Sequence, residues 1–301
     1  MSLESTFGNK VSLITGGSSG IGLALGHRIA ELGGEVVLVA RREQPLADAA
    51  KQIQAKTPRA RVETLALDVA DEDAVAAKVG ALAERLPIHH VFNNAGVVMP
   101  GRLLELETKH FRDMMRVNYE GAVHVCRAAL PSMVKRGAGH VLNVSSMAGL
   151  IGIYGYTAYA ASKFALAGFS QALRAELWPH GIKVTVCFPP DTDTPQLAFE
   201  NQYKPAETRA IAGNVKTLRP EEVADAILVG MDRGEFEIVP GLDGKISAIA
   251  SRVAPRLVRW VCDHSQKKAG GGASACCARS RGARPRASRC CSRRSLRRSG
   301  R

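Results

Sequence analysis

The chain has 301 residues, 46% of them hydrophobic, which fits one large α/β domain with a sizeable core and an appendage. Its net charge of +13 is concentrated near the end, because residues 265–301 carry 2 Lys, 10 Arg and no acidic residue, so residues 1–264 hold 13 − 12 = +1. The body of the protein is therefore nearly neutral, and the basic net charge says nothing about its chemistry.

Apolar, β-branched runs alternate along the chain with longer segments of helical periodicity. This alternation is typical of βαβ units and predicts an α/β fold, a doubly wound, mostly parallel seven-stranded sheet of Rossmann type with helices on both faces. We expect the strand order 3-2-1-4-5-6-7. Strands are predicted at residues 11–14, 35–40, 61–67, 90–93, 140–144, 183–187 and 235–239, with helices at 21–32, 70–85, 108–135, 156–178 and 220–233.

A glycine-rich turn, Thr-Gly-Gly-Ser-Ser-Gly-Ile-Gly at residues 15–22, follows the first strand and opens a helix. Glycines let the backbone turn tightly and approach a pyrophosphate without a Cβ in the way. The unpaired N–H groups of the helix N-terminus add favourable potential for the phosphates. We expect a dinucleotide cofactor to contact this turn at Gly16, Ser18, Ser19, Gly20 and Ile21.

The end of the second strand indicates which dinucleotide is bound. Arg41 lies 19 residues past Gly22, where an NAD-binding protein places an acidic residue for the ribose 2′-hydroxyl. An arginine pairs with a 2′-phosphate instead and can stack on adenine, so the sequence favours NADP(H). Pro45 stands where a basic residue can aid phosphate binding. Further cofactor contacts are predicted after the third and fourth strands, at Asp68, Val69, Asn94, Ala95 and Gly96.

The helix at 156–178 carries a candidate catalytic pair. Tyr159 and Lys163 lie one turn apart on the same helical face. A free tyrosine has a pKa of about 10, and a neighbouring ammonium lowers it by favouring the phenolate. We expect Tyr159 to be the acid–base catalyst and Lys163 to lower its pKa and to hold the nicotinamide ribose, so that both also contact the cofactor. Ser146 and Asn118 are the other candidate catalytic residues.

These motifs make the chain resemble the short-chain dehydrogenases/reductases over roughly residues 8–240. The matches are the turn at 15–22, Asn-Asn-Ala-Gly at 93–96, Asn118, Ser146, Tyr159 and Lys163. The resemblance implies that Ser146 orients the substrate carbonyl and that Asn118 holds a proton-relay water. Ser145 is adjacent to Ser146 and stays open as an alternative for the second hydroxyl.

The segment at 189–218 is rich in Pro, Thr and polar residues without a clear strand, which predicts a lid or substrate loop. It resembles the 3-ketodihydrosphingosine reductases in Pro-Pro-Asp-Thr-Asp-Thr-Pro at 189–195 and in the pairs Glu200-Asn201, Lys204-Pro205 and Glu207-Thr208. Phe164-Ala165 and Gly241-x-x-Gly244 also match. The resemblance implies NADPH-dependent reduction of a long-chain 3-ketone in sphingoid-base synthesis. Pro189, Thr192 and Thr194 are expected to contact the cofactor, the threonines at the nicotinamide amide.

Two segments follow the seventh strand. Residues 246–262 are apolar but carry three arginines, which predicts a C-terminal helix that covers the sheet edge or lies on a membrane surface. Residues 264–301 lack a hydrophobic period and predict a disordered tail, whose contact with nucleic acid would be unspecific. An altered reading frame is the alternative origin of this tail. The reductase domain is therefore predicted to span residues 1–263.

The remaining expectations concern compartment and partners. Three isolated cysteines in residues 1–264 give neither a disulfide framework nor a metal site. Together with the lack of a targeting or spanning segment, this favours a cytoplasmic protein, with possible membrane-surface contact. The family resemblance implies a homodimer or homotetramer formed through the helices at 108–135 and 156–178. A reductase of acyl, steroid or aromatic ketones, and a non-catalytic NADP-binding sensor, are the alternatives.

Overall fold

The computed structural model describes residues 2–212 and 216–266, without the side chains of residues 211 and 212. Seven strands pair in parallel to form a sheet. They are β1 (Val11–Thr15), β2 (Glu35–Ala40), β3 (Val62–Ala66), β4 (Ile88–Asn93), β5 (Gly139–Val144), β6 (Ile182–Cys187) and β7 (Glu237–Ile238). Their order is β3-β2-β1-β4-β5-β6-β7, which confirms the predicted doubly wound fold and its strand order.

Helices cover both faces of this sheet. They are α1 (Leu3–Phe7), α2 (Gly20–Glu31), α3 (Glu43–Lys56), α4 (Glu72–Arg85), α5 (Thr108–Met115), α6 (Gly121–Arg136), α7 (Thr157–Leu177), α8 (Pro195–Tyr203), α9 (Ala206–Ala212), α10 (Pro220–Arg233) and α11 (Leu242–Val253). Residues 255–266 are helical as well. No helix among the described residues is both long and apolar enough to cross a membrane.

The strands are apolar on both sides because each face is covered by helices. On β1, Leu13 packs into the cluster formed with α4, α6 and α7, whereas the next residue, Ile14, packs into the cluster formed with α2 and α10. Both side chains are fully buried. Helical layers therefore cover both faces of the sheet. Because its strands run parallel, their carboxyl ends lie along one edge.

The helix predicted at 108–135 is interrupted by a π-helical turn, Arg116–Glu120. Helices α5 and α6 flank this turn, which adds one residue to the local helical repeat. Asn118 lies at its centre and is buried. Such π turns are rare and frequently mark functional sites.

Three other expectations are corrected. The segment at 189–218 is not a plain loop, since it contains α8 and α9. The single C-terminal helix predicted at 246–262 is two helices separated at Ala254, because Pro255 lacks an N–H and disfavours the α conformation of the residue before it. Of the predicted tail, residues 264–266 are helical, and the rest lies outside the described residues.

Candidate active site

A cleft of about 340 Å³ opens at the carboxyl ends of the strands. Residues that follow β1 to β6 line it, together with α7 and α8. Every residue predicted to bind the cofactor borders this cleft, and so do three of the four candidate catalytic residues, Ser146, Tyr159 and Lys163. Ligands of doubly wound sheets bind at this edge, where the strand order reverses.

The glycine turn leaves one side of the cleft free of side chains. Gly16 and Gly20 have φ of 65° and 55°, the left-handed region that glycine adopts readily. A Cβ at Gly22 would lie 2.4 Å from the Gly16 carbonyl oxygen. Ser19 caps α2 without a side-chain hydrogen bond to it, so the first N–H groups of the helix are available to an anion.

The Asn-Asn-Ala-Gly motif after β4 braces this turn. The Asn94 Nδ2 group donates to the Thr15 carbonyl oxygen at 2.9 Å and to that of Gly16 at 3.3 Å. Thr15 Oγ1 accepts from the backbone N–H groups of Asn94 and Ala95, both at 3.0 Å. The motif therefore ties the end of β4 to the end of β1. On the other side, a Cβ at Gly20 would lie 3.0 Å from Thr194 Cγ2, which places the start of α8 against the glycine turn.

Two arginines border the end of the cleft beside β2. Arg41 and Arg42 are both exposed, and Asp68 stands opposite them after β3. The guanidinium groups offer several N–H donors to a phosphate in a geometry that permits bidentate pairing. Pairing with the 2′-phosphate was predicted from the sequence for Arg41 only. Arg42 was missed, although the presence of a second basic residue beside Arg41 was the available signal.

The two adjacent serines after β5 have different surroundings. Ser145 Oγ is buried and donates to the Lys163 carbonyl oxygen at 2.9 Å, which fixes α7 to the end of the strand. Ser146 Oγ accepts from the Ala148 N–H at 3.1 Å, and hydrogen bonding to Ser146 lowers the pKa of Tyr159. Ser146 is therefore the hydroxyl paired with the tyrosine.

Tyr159 is 9% exposed, and its pKa differs from the sequence expectation. Burial raises the pKa of the phenol, the Glu200 carboxylate raises it further, and hydrogen bonding to Ser146 only partly opposes these effects. The Lys163 Nζ lies 5.7 Å from the centroid of the tyrosine ring and donates to the Val144 carbonyl oxygen at 2.9 Å. The pKa of this phenol is therefore raised overall, against the expectation of a more acidic tyrosine, and Lys163 is not among the groups that shift it.

Lys163 is itself affected by burial, since it is 4% exposed. Burial lowers the pKa of its ammonium to about 8, while the Glu200 carboxylate acts in the opposite direction. Most of the lysine therefore remains charged at neutral pH. The ammonium is held at the end of β5, between the tyrosine and the cofactor-facing edge of the cleft.

Asn118 lies beside the cleft rather than in it. Its Nδ2 group donates to the Val97 carbonyl oxygen and to Ser162 Oγ, both at 2.9 Å, and its Oδ1 accepts from the Val97 N–H at 2.7 Å. Ser162 Oγ in turn donates to the Tyr159 carbonyl oxygen at 2.7 Å. The asparagine side chain therefore connects the strand β4 edge with the helix that carries the tyrosine.

Asp191, Glu200 and Lys204 contributed to the family resemblance, but no role was predicted for them. In the structure they form a group of charged residues beside Tyr156. The Tyr156 hydroxyl donates to Glu200 Oε2 at 2.6 Å. The Lys204 Nζ lies 2.9 Å from Asp191 Oδ2 and 3.6 Å from the same Glu200 oxygen. Glu200 is 8% exposed and Lys204 5%. The four-residue spacing of Glu200 and Lys204 was a signal for this ion pair, but nothing local linked it to Tyr156.

The fold and the site define an established class of proteins. Residues 10–204 match the family described as short chain dehydrogenase, so the chain belongs to the short-chain dehydrogenase/reductase family of oxidoreductases. It is 40% identical over 248 residues to the 3-dehydrosphinganine reductase of Danio rerio, covering 81% of this chain and 75% of that one.

Solved structures show the same relationship. The crystal structure of levodione reductase has a TM-score of 0.73 and 29% identity, covering 80% of this chain and 99% of that one. A short-chain dehydrogenase from Sphingobium yanoikuyae in complex with NADPH has a TM-score of 0.71 and 28% identity, covering 83% of this chain and 95% of that one.

Proposed function

We propose that the protein reduces the 3-keto group of 3-ketodihydrosphingosine to a secondary alcohol with NADPH, as a step of sphingolipid biosynthesis. The observation that carries this proposal is the convergence of Tyr159, Ser146 and Lys163 with the glycine turn in one cleft. The substrate is supported by the similarity to the 3-dehydrosphinganine reductase of Danio rerio.

The cleft fits NADPH at three places. The open N–H groups at the start of α2 suit the pyrophosphate, and Arg41 and Arg42 suit the 2′-phosphate. Lys163 and Tyr159 would hold the nicotinamide ribose, and Thr192 and Thr194 would contact the nicotinamide amide, since all four residues line the cleft. When bound, NADPH supplies the hydride that the ketone carbon receives.

Tyr159 and Ser146 perform the proton chemistry in this proposal. Both hydroxyls hydrogen-bond to the ketone oxygen, and Tyr159 then gives its proton to that oxygen. The raised pKa of the phenol keeps the proton in place before reaction, and the developing alkoxide is a stronger base than a phenolate. Lys163 stabilises the phenolate that forms.

Asn118 has a positioning role in this proposal. The side-chain amide of Asn118 is already hydrogen-bonded to Val97 and Ser162. We therefore assign the relay water to the backbone carbonyl of Asn118 rather than to its side chain. That water would return a proton toward Lys163 and Tyr159 after each reduction.

The substrate is tested by NADPH oxidation with 3-ketodihydrosphingosine against a panel of acyl, steroid and aromatic ketones. We expect kcat/KM to be highest for the sphingoid ketone by at least about tenfold, because an enzyme discriminates through the contacts that only one substrate makes. A higher kcat/KM with any other ketone of the panel would assign the protein to a different reductase of the same family.

We also propose a homodimer or homotetramer formed through α5–α6 and α7, a cytoplasmic location, and contact with a membrane surface through the C-terminal helices. The last rests on exposed apolar side chains that recur every three or four residues beside Arg252, Arg256 and Arg259. These exposed side chains are Leu242, Ile246, Ile249, Val253, Leu257 and Trp260.

Replacing Leu257 and Trp260 together by Gln is expected to weaken binding to vesicles of phosphatidylcholine and phosphatidylserine by about tenfold or more, because apolar area no longer enters the lipid. Co-sedimentation measures the binding, and reduction of a water-soluble ketone should not change. Unaltered vesicle binding would contradict the membrane contact.

A further inference from the structure

The proton chemistry leaves one part of the cleft without a function. This part is formed by Tyr156, Asp191, Gln196, Glu200 and Lys204, which we term the Glu200 network. It lies beside Tyr159, the tyrosine that donates the proton. The rings of Tyr156 and Tyr159 are 5.5 Å apart between centroids. Tyr156, Gln196 and Glu200 all line the same cleft as Ser146 and the glycine turn.

The charges of the Glu200 network do not balance. Two carboxylates, Asp191 and Glu200, share the ammonium of Lys204, which lies nearer to Asp191. The Lys163 ammonium also feels the charge of Glu200, but its Nζ donates to the Val144 carbonyl oxygen rather than to either carboxylate. The network therefore presents one net negative charge to the space in front of Tyr159.

This charge is unfavourable because both carboxylates border a partly buried cleft. Burying a carboxylate costs free energy unless a cation or several donors compensate it. Burial accordingly raises the pKa of Glu200, which Tyr156 and Lys204 only partly offset, and the same carboxylate raises the pKa of Tyr159. A cationic group of the substrate would reduce both the cost of burying the Glu200 carboxylate and the increase that this carboxylate causes in the pKa of Tyr159.

Glu200 also retains capacity for another donor. Its Oε2 accepts from the Tyr156 hydroxyl, whereas Oε1 has a long contact of 3.4 Å with Gln196 Nε2. An ionised carboxylate has about four acceptor positions, so Oε1 can accept a further N–H. Tyr156 and Lys204 hold the carboxylate in place from the other oxygen.

We propose that Glu200 binds the primary ammonium that 3-ketodihydrosphingosine carries on the carbon next to its ketone, an inference that rests on the proposed function. The amine nitrogen is two bonds away from the carbonyl carbon whose oxygen Tyr159 and Ser146 address, so a carboxylate in the same cleft as Tyr159 is placed to reach it. Tyr156 and Lys204 are positioning residues for this carboxylate. Glu200 thus selects α-amino ketones from other long-chain ketones.

The test compares 3-ketodihydrosphingosine with its analogue lacking the amine, 1-hydroxyoctadecan-3-one, in the wild-type protein and in Glu200→Gln. The variant keeps the size of the side chain and removes its charge. We expect kcat/KM for the amino ketone to fall by about 10- to 100-fold, mainly through KM, because one charge-assisted hydrogen bond is lost. For the analogue we expect a much smaller change, limited to the effect of the lost charge on the pKa of Tyr159, which both ketones share.

Glu207→Gln is the matched control, since Glu207 is also a buried carboxylate of this segment but pairs with Arg102 outside the cleft. It should leave the ratio of the two kcat/KM values unchanged. NADPH titration and thermal unfolding report on the folding of both variants.

The outcomes separate the two proposals. Equal wild-type kcat/KM for both ketones, or an equal loss for both in Glu200→Gln, would overturn the role of Glu200 and leave the reductase assignment standing. Failure of the wild-type protein to reduce 3-ketodihydrosphingosine, while it reduces other ketones, would overturn the proposed substrate and, with it, the ammonium site.

Discussion

Tyr159→Phe is expected to lower kcat for ketone reduction by about 10²- to 10⁴-fold, the contribution of a positioned general acid. The substitution removes the hydroxyl and keeps the ring, whose packing against Tyr156 is preserved. Binding of NADPH should remain within about threefold of wild type, since most of the cofactor contacts that we propose come from the glycine turn and the arginines. Stopped-flow oxidation of NADPH and fluorescence titration measure the two quantities.

Tyr154→Phe is the control for this experiment. Its hydroxyl accepts a hydrogen bond from Arg102 Nε at 2.8 Å and does not border the cleft. We expect wild-type turnover from it. If Tyr159→Phe also turned over at the wild-type rate, the proton donor would have to be another group, and the proposed mechanism would be wrong.

Arg41→Ala is expected to raise KM for NADPH by about 10- to 100-fold, because a charge-assisted contact with the 2′-phosphate is lost. KM for NADH, which lacks that phosphate, should change by no more than about twofold. Arg42 lines the same end of the cleft, so the double variant Arg41→Ala/Arg42→Ala should lose still more affinity for NADPH. Initial rates with each nucleotide at fixed ketone concentration provide the comparison.

Arg59→Ala serves as the charge-matched control, since Arg59 is exposed and lies outside the cleft. It should alter neither KM. Equal increases of KM for NADPH and NADH in Arg41→Ala would show that the arginine does not recognise the 2′-phosphate and would remove the basis of the cofactor preference.

The fold could be predicted because its determinants are local and periodic. Runs such as Glu35–Ala40 are apolar on both faces, and the glycine turn specifies a strand–turn–helix by its backbone requirements alone. The residues around the cofactor cleft follow from this topology, because the carboxyl ends of parallel strands must meet at one edge. Their roles stay proposals until the variants are measured.

Other features depend on contacts that no local pattern encodes. The π turn at Arg116–Glu120 has no distinctive composition. The bond between Tyr156 and Glu200 joins residues 44 positions apart, so neither residue indicates the other. The direction of the Tyr159 pKa shift likewise depends on how deeply the phenol is buried, and the spacing of Tyr159 to Lys163 carries no information on that burial. The interruption of the C-terminal helix at Ala254, by contrast, could have been predicted from Pro255.

The proposed reduction is tested most directly with NADPH that carries deuterium at the reactive C4 position of its nicotinamide, because transfer of this deuterium to the product can be measured. The wild-type protein is incubated with this cofactor and 3-ketodihydrosphingosine, and the product is analysed by mass spectrometry. We predict one deuterium on the carbinol carbon of dihydrosphingosine from one of the two C4 epimers, and formation of that product about 10²- to 10⁴-fold more slowly with Tyr159→Phe. Formation of unlabelled alcohol from both epimers, or of no alcohol at all, would contradict direct reduction of this ketone in the cleft.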